Sequence, residues 1–374
     1  MSIIPKHEVF PNTTYNVFMS KLTKKTAEDI VTWYNAAKRS LPWRDTGNPY
    51  DVWLSEIMLQ QTRIEAVKPK YALFKKELPD IKSLAECDDD HLMRLWEGLG
   101  YYSRARNLKK CAKVLVDEYD AKLPADHQAL LKLPGIGPYT AGAIASISYD
   151  LPVAAVDGNV LRVLARYFAI KDDIRNDAVK KQIEETMCDI YAEKQPSGFF
   201  SSFNQGLMEI GEVVCVPNGA PHCMQCPLQH KCIAEQKNLW SEIPYRSALK
   251  ERKIVERTLL VLRDGDSFLL HKRSEKGLLA GLYEFIGMDG YISEKDALKE
   301  AEKMGAVPLK IAHLPEARHI FTHLEWHMHA YEIQVEQIES LKLDHCVLAN
   351  KKELASLAIP SAFKKYVDWY SLRD

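Results

Sequence analysis

Between residues 26 and 211 the apolar positions recur at helical spacing, broken into short segments by polar and glycine-rich interruptions. The pattern predicts helices over 26–38, 50–62, 67–77, 83–86, 89–97, a segment reaching about 119, a short helix begun by Pro124 and Asp126, then 176–192 and 199–211. The 50–62 segment differs from the others. Val52, Trp53, Leu54, Ile57, Met58 and Leu59 cover nearly all its faces, the mark of a buried helix, and Glu56 is the odd residue among them. Only 152–156 admits a strand in this half. Beyond 252 the period changes. The runs 258–263 and 267–271 read as strands around the turn Asp264-Gly265-Asp266, 325–336 as another strand, and 294–304, 353–357 and 361–370 as helices. The expected fold class is a mostly α N-terminal domain followed by an α+β C-terminal domain. The divisions are an arm over 1–25, a helical domain over 26–214, a cysteine loop over 215–232, a linker over 233–252 and a C-terminal domain over 253–374.

Chemistry concentrates at a few places. Leu133-Pro-Gly-Ile-Gly137 is a tight turn between two helices, followed by small residues suited to close packing. Free backbone N–H groups at the second helix, with Gly135 and Gly137 beside them, suit a phosphate; a plain helix cap gives the same letters. Asp157 stands at the start of the next helix, either as its N-cap or as a carboxylate held for function, and the two are compatible. Burial would raise the pKa of Glu56, as a catalytic acid requires; a buried glutamate paired with Arg44 fits as well. The stretch 101–113 carries Arg104, Arg106, Lys109, Lys110 and Lys113 behind two tyrosines and no acid. It suits phosphate contact and base stacking, or a solvated helix face.

Composition narrows this. The 374 residues have a formal net charge of −1, so any nucleic-acid binding rests on local patches and backbone donors. No apolar run is long enough to span a bilayer, and a soluble cytoplasmic protein is expected. Four of eight cysteines are scattered. Cys215, Cys223, Cys226 and Cys232 crowd together as Cys-x7-Cys-x2-Cys-x5-Cys, a four-thiolate metal loop that spacing alone assigns to neither zinc nor iron–sulfur. The C-terminal histidines 313, 319, 323, 327 and 329 read as hydrogen-bonding or phosphate-contacting residues before metal ligands.

Taken together, these residues resemble the helix-hairpin-helix DNA glycosylases of the endonuclease III superfamily, and within it the branch that excises adenine. The matching motifs are Leu41-Pro-Trp-Arg44, Ser55-Glu-Ile-Met-Leu-Gln-Gln-Thr62, Gly98-Leu-Gly-Tyr-Tyr-Ser-Arg104, Leu133 to Gly142, Val156-Asp-Gly-Asn-Val160 and Asn204-Gln205. Leu270-His-Lys-Arg273, Gly277 to Phe285 and His319-Ile-Phe-Thr-His323 resemble that branch's Nudix-like domain. The resemblance implies base excision repair of adenine opposite 8-oxoguanine or guanine in double-stranded DNA, by a bacterial-type, nucleoid-associated monomer carrying a [4Fe-4S] cluster. Relatives that also cut the strand keep a lysine two residues beyond the second hairpin glycine. Tyr139 stands there and cannot form a Schiff base, which implies a monofunctional glycosylase. Glu56 would protonate adenine N7 and later activate water, Asp157 would stabilise the oxocarbenium-like sugar, and Tyr139 and Asn159 would position Asp157 and the water. Gln61 and Tyr101 would fill and wedge the gap left by the flipped adenine, and Arg44 and Gln205 would line its pocket. Phe321, Thr322 and His323 would read the 8-oxoguanine. The segment 297–303 lacks the glutamate arrangement of Nudix hydrolases, so pyrophosphohydrolysis is not expected. Two departures stand out: the first cysteine gap is seven where six is usual, which should bulge the loop near 217–221, and Thr322 replaces a common serine.

Overall fold

The computed structural model describes residues 21–248, 251–341 and 343–371. Most of the expected arm lies outside the described residues. The helices run α1 Lys24–Ala37, α2 Pro49–Leu59, α3 Ile64–Glu77, α4 Ile81–Glu86, α5 Asp89–Leu95, α6 Ser103–Glu118, α7 His127–Leu130, α8 Pro138–Tyr149, α9 Gly158–Phe168, α10 Asp177–Glu185, α11 Cys188–Ala192, α12 Phe199–Glu209 and α13 Ile233–Gln236. Then come β1 Lys253–Asp264, β2 Ser267–Lys272, β3 Tyr283–Glu284, β4 Ile286–Asp289, α14 Glu294–Lys303, β5 Val307–Ile320, β6 Leu324–Glu336, β7 Cys346–Asn350, α15 Lys351–Ser356 and α16 Lys364–Ser371. The chain forms two compact units. Of the described residues, one takes those up to Lys38 with Asp150–Ser247; the other takes Arg39–Tyr149 with those from Ala248.

In the second unit, α2 is capped by Asn48, whose side chain accepts from Tyr50 N, and Pro49 opens it without losing an intrahelical bond. Trp53, Leu54 and Met58 are almost wholly buried. α8 packs on α2, and its Ala141, Gly142, Ala143 and Ala145 are buried. The C-terminal part of this unit is a seven-stranded mixed sheet in which β1 pairs parallel with β6 and antiparallel with β2 and β4. Leu259 and Val261 join the core under α16, while Leu260 and Leu262 join the core under α14. Both faces are covered, which is why the strand is apolar without alternation from Leu259 to Leu262.

In the first unit, α9 and α12 pack with α1 around Ile30, Leu164, Phe203 and Leu207. The predicted helix over 176–192 is two helices, broken where Thr186 turns its hydroxyl back to the Ile183 carbonyl. The 152–156 segment is no strand but an extended connection. α12 runs directly into a π-helical turn, Ile210–Val214.

Candidate active site and cysteine loop

α7, the turn and α8 form the hairpin. Gly135 takes φ +75°, and a Cβ there would meet the Asn107 Cβ at 2.6 Å, so the turn admits only glycine. Gly137 has ordinary backbone and open space where its Cβ would lie. In the first turn of the second helix, the Tyr139 hydroxyl donates to the carboxylate of Glu56, which is half-buried on α2. Gln60 Nε2 lies 3.4 Å from Thr140 Oγ1, a second tie between the same helices. Arg44 donates to the Arg39 carbonyl at 3.0 Å.

Gln61 and Tyr101 are both exposed, and both hold left-handed backbone, φ +57° and +43°. Such conformations cost a side-chain-bearing residue about 1–3 kcal/mol and persist where neighbours over-determine them. Arg104 is that neighbour. Its guanidinium donates to the carbonyls of Ile57, Met58 and Gln60, which end α2, and to those of Leu99 and Gly100, just before Tyr101. This corrects the expectation that Arg104 contacts phosphate: it is buried, and it caps one helix while stapling two loops. Arg106 and Lys109 are also engaged internally, with the Ala280 carbonyl and Asp89, and Tyr102 is buried. Lys110 and Lys113 remain exposed.

Asp157 is the N-cap of α9. Its carboxylate accepts from Asn159 N at 2.9 Å, Val160 N at 2.8 Å and Asn159 Nδ2 at 2.9 Å. Burial pushes its pKa up, opposed by these donors and by Arg162. Gln205 lies half-buried on α12, accepting from the Tyr34 hydroxyl at 2.9 Å.

The four cysteines line one cavity with Arg166, Tyr167, Ile210 and Leu228. Burial pushes the thiols of Cys223, Cys226 and Cys232 up, Cys226 to about 12. Arg166 Nη1 lies 3.3 Å from Cys215 Sγ. Single 3₁₀ turns, Cys223–Gln225 and Gln229–Lys231, separate the later ligands. The long first gap leaves and returns at one point, His222 N donating to the Val214 carbonyl at 2.9 Å. Among the described residues no three His, Cys, Asp or Glu side chains converge as they would on a single ion. His327 and His329 instead bond carboxylates, Glu325 and Glu256 among them.

Residues 54–187 match the HhH-GPD superfamily base excision DNA repair protein, and residues 257–369 match the NUDIX domain. The adenine DNA glycosylase of Buchnera aphidicola subsp. Baizongia pistaciae is 35% identical over 315 residues, 83% of this chain and 86% of that protein. The mouse adenine DNA glycosylase is 32% identical, over 91% of this chain and 77% of its own. The chain belongs to the adenine DNA glycosylase family. It is an enzyme, a DNA glycosylase of base excision repair. A thermostable thymine-DNA glycosylase structure is also similar, at 28% identity and TM-score 0.50, covering 57% of this chain and 96% of that one.

Two residues of this family member carry structural work that no motif assigned. Arg162 donates to Asn159 Oδ1 at 2.7 Å, to the Gly211 carbonyl at 2.6 Å and to the Cys215 carbonyl at 2.8 Å, tying Asp157's partner to the cysteine loop. Gly211 is needed for that approach, since a Cβ there would meet Asn159 Cβ at 2.5 Å. Asn204 is buried and accepts from Ala155 N at 2.9 Å while donating to the Val153 carbonyl at 3.1 Å, which fixes the segment leading to Asp157. For Asn204 the sequence signal was available: a polar residue beside Phe200, Phe203 and Leu207 on an apolar helix face.

Proposed function

We propose that this glycosylase excises adenine paired with 8-oxoguanine, or with guanine, from double-stranded DNA. The observation that carries the reading is the Tyr139 hydroxyl on the Glu56 carboxylate. It puts a phenol, not an amine, where the bifunctional mechanism needs its nucleophile, beside the carboxyl group that would do acid–base work. In this reading Glu56 gives its proton to adenine N7, the C1′–N9 bond breaks with its electron pair leaving on adenine, and Asp157 stabilises the cationic sugar. Water then adds to C1′ and returns a proton to Glu56, leaving free adenine and an intact strand with an abasic site. Asn159 holds the Asp157 carboxylate, Arg44 and Gln205 contact the extruded adenine, Gln61 and Tyr101 occupy the gap, and Phe321, Thr322 and His323 read the opposite base. Gly135 and Gly137 present the hairpin N–H groups to a phosphate.

The cysteine loop fits a [4Fe-4S] cluster held by Cys215, Cys223, Cys226 and Cys232. The donor set supports this: four thiols line one cavity, and four thiolates are the ligands such a cluster takes. When bound, the cluster supplies four metal–thiolate bonds that fix this loop.

Incubation with duplexes carrying A:8-oxoguanine, A:G and T:G, followed by alkali, tests the substrate. Release is expected from the first two. Cleavage of T:G alone would favour the thymine reading that the similar thymine-DNA glycosylase suggests.

A further inference from the structure

Among the described residues of the second unit, hydrogen bonds join the sheet domain to the helices at three places. The Thr322 hydroxyl, on the turn between β5 and β6, is hydrogen-bonded to the Tyr101 hydroxyl. At the second place, Asp90 in the first turn of α5 accepts from Lys272 Nζ at 2.8 Å and from the Tyr283 hydroxyl at 2.9 Å. Lys272 and Tyr283 face each other across the β2–β3 pair, and the lysine lies over the tyrosine ring. At the third, Arg106 on α6 donates to the Ala280 carbonyl at 2.7 Å.

These contacts differ in strength. Tyr101 and Thr322 are exposed tips joined by one neutral bond, which in water is too weak to hold a domain in place. The other two are charge-assisted, partly shielded, and both fall on the one segment 272–283. A chain of rigid contacts runs from that segment to the 321–323 turn. β2 pairs with β1, β1 pairs with β6, and Trp326 on β6 packs edge-on against Phe321 at 4.8 Å. The turn therefore goes where the 272–283 segment goes.

We propose that Asp90 and Arg106 are positioning residues for opposite-base selection: by fixing the 272–283 segment on α5 and α6 they hold Thr322 at Tyr101. The inference rests on the reading that the 321–323 turn recognises the base opposite adenine. Neither residue is among those assigned above to the DNA or the reacting atoms.

The test is single-turnover excision from A:8-oxoguanine and A:G duplexes at one salt concentration, for Asp90→Ala, Arg106→Leu, Thr322→Ala and the Asp90→Ala/Thr322→Ala pair in the full chain. Loss of Asp90 or Arg106 is expected to lower the preference for A:8-oxoguanine by about fivefold, one hydrogen bond's worth, while the A:G rate holds. The pair should discriminate no worse than Thr322→Ala alone, because Asp90 acts through Thr322. If Thr322→Ala narrows discrimination and Asp90→Ala and Arg106→Leu do not, the positioning role is overturned and the reader stands. If Thr322→Ala leaves discrimination unchanged, the reader itself fails and this inference with it. A parallel fall of both rates, with a lowered melting temperature, would reduce Asp90 to a structural contact. Should Asp90→Ala not fold, Asp90→Asn removes the charge at constant size, and faster amide exchange at 319–324 but not in α2 is the expected result; unchanged exchange there counts against the proposal.

Discussion

At the scale of single residues, the proposed acid Glu56 and the proposed anion Asp157 make separate predictions. Glu56→Gln keeps the shape and a partner for the Tyr139 hydroxyl but has no proton to give. Excision is expected to fall by about 10²–10⁴-fold with duplex affinity retained, and near-native single-turnover rates would leave Glu56 structural. Tyr139→Lys places an amine beside the same carboxylate, so some strand cleavage and a borohydride-trapped adduct should appear. Asp157 has a different signature. Its folded pKa is raised, so its contribution to stability is fully present below the unfolded value and lost as pH rises through the folded one. Asp157→Asn keeps the cap oxygen and removes that penalty. The variant should be inactive yet melt higher than wild type near neutral pH, and the gain should vanish in acid; equal melting across pH would show that the donors outweigh burial. The letters around Asp157 announced a cap, and the structure has one. They could not announce Arg162, because its partners Gly211 and Cys215 lie about fifty residues away and meet it only in the fold.

At the scale of elements, periodicity located the long helices because each buries one stripe, and it located β1, β2 and β6 because they are central. β5 escaped it. It is an edge strand with register shifts at Pro308/Lys310 and Leu314/Ala317, and each bulge resets the alternation by one residue. The basic stretch over 101–113 misled in the opposite direction. A run of cations reads as a surface, but α2 ends with carbonyls that need donors, and Arg104 is the donor. Arg104→Met should therefore destabilise the protein by about 3–5 kcal/mol, the scale of a broken buried network, visible as a lower denaturant midpoint. A phosphate-binding residue would instead leave stability alone and reduce the salt dependence of DNA affinity. For the cysteine loop, iron and sulfide in equal amounts are expected in protein purified without air; stoichiometric zinc there would end the cluster reading.

At the scale of the whole molecule, two family signatures sit in one chain, and the NUDIX match has a task only if it acts on what the helices hold. The 321–323 turn is its candidate tool. Phe321 is anchored on Trp326, while Thr322 and His323 are exposed, an arrangement that presents two polar side chains on a fixed base. 8-Oxoguanine differs from guanine at its edge, having an N7–H and an O8, and hydroxyl and imidazole groups can pair with both. In the free protein the Thr322 hydroxyl is bonded to Tyr101, so a base that draws it away must replace that bond. Replacing both Thr322 and His323 by Ala should narrow the rate and affinity gap between A:8-oxoguanine and A:G, by about 1 kcal/mol for each bond lost. Tyr101→Phe leaves the ring in place and frees the Thr322 hydroxyl, so it should preserve the gap. If the double variant loses activity on both duplexes in proportion, the turn packs the domain and reads nothing; if Tyr101→Phe narrows the gap as much as the double variant, the phenol and not the turn carries the discrimination.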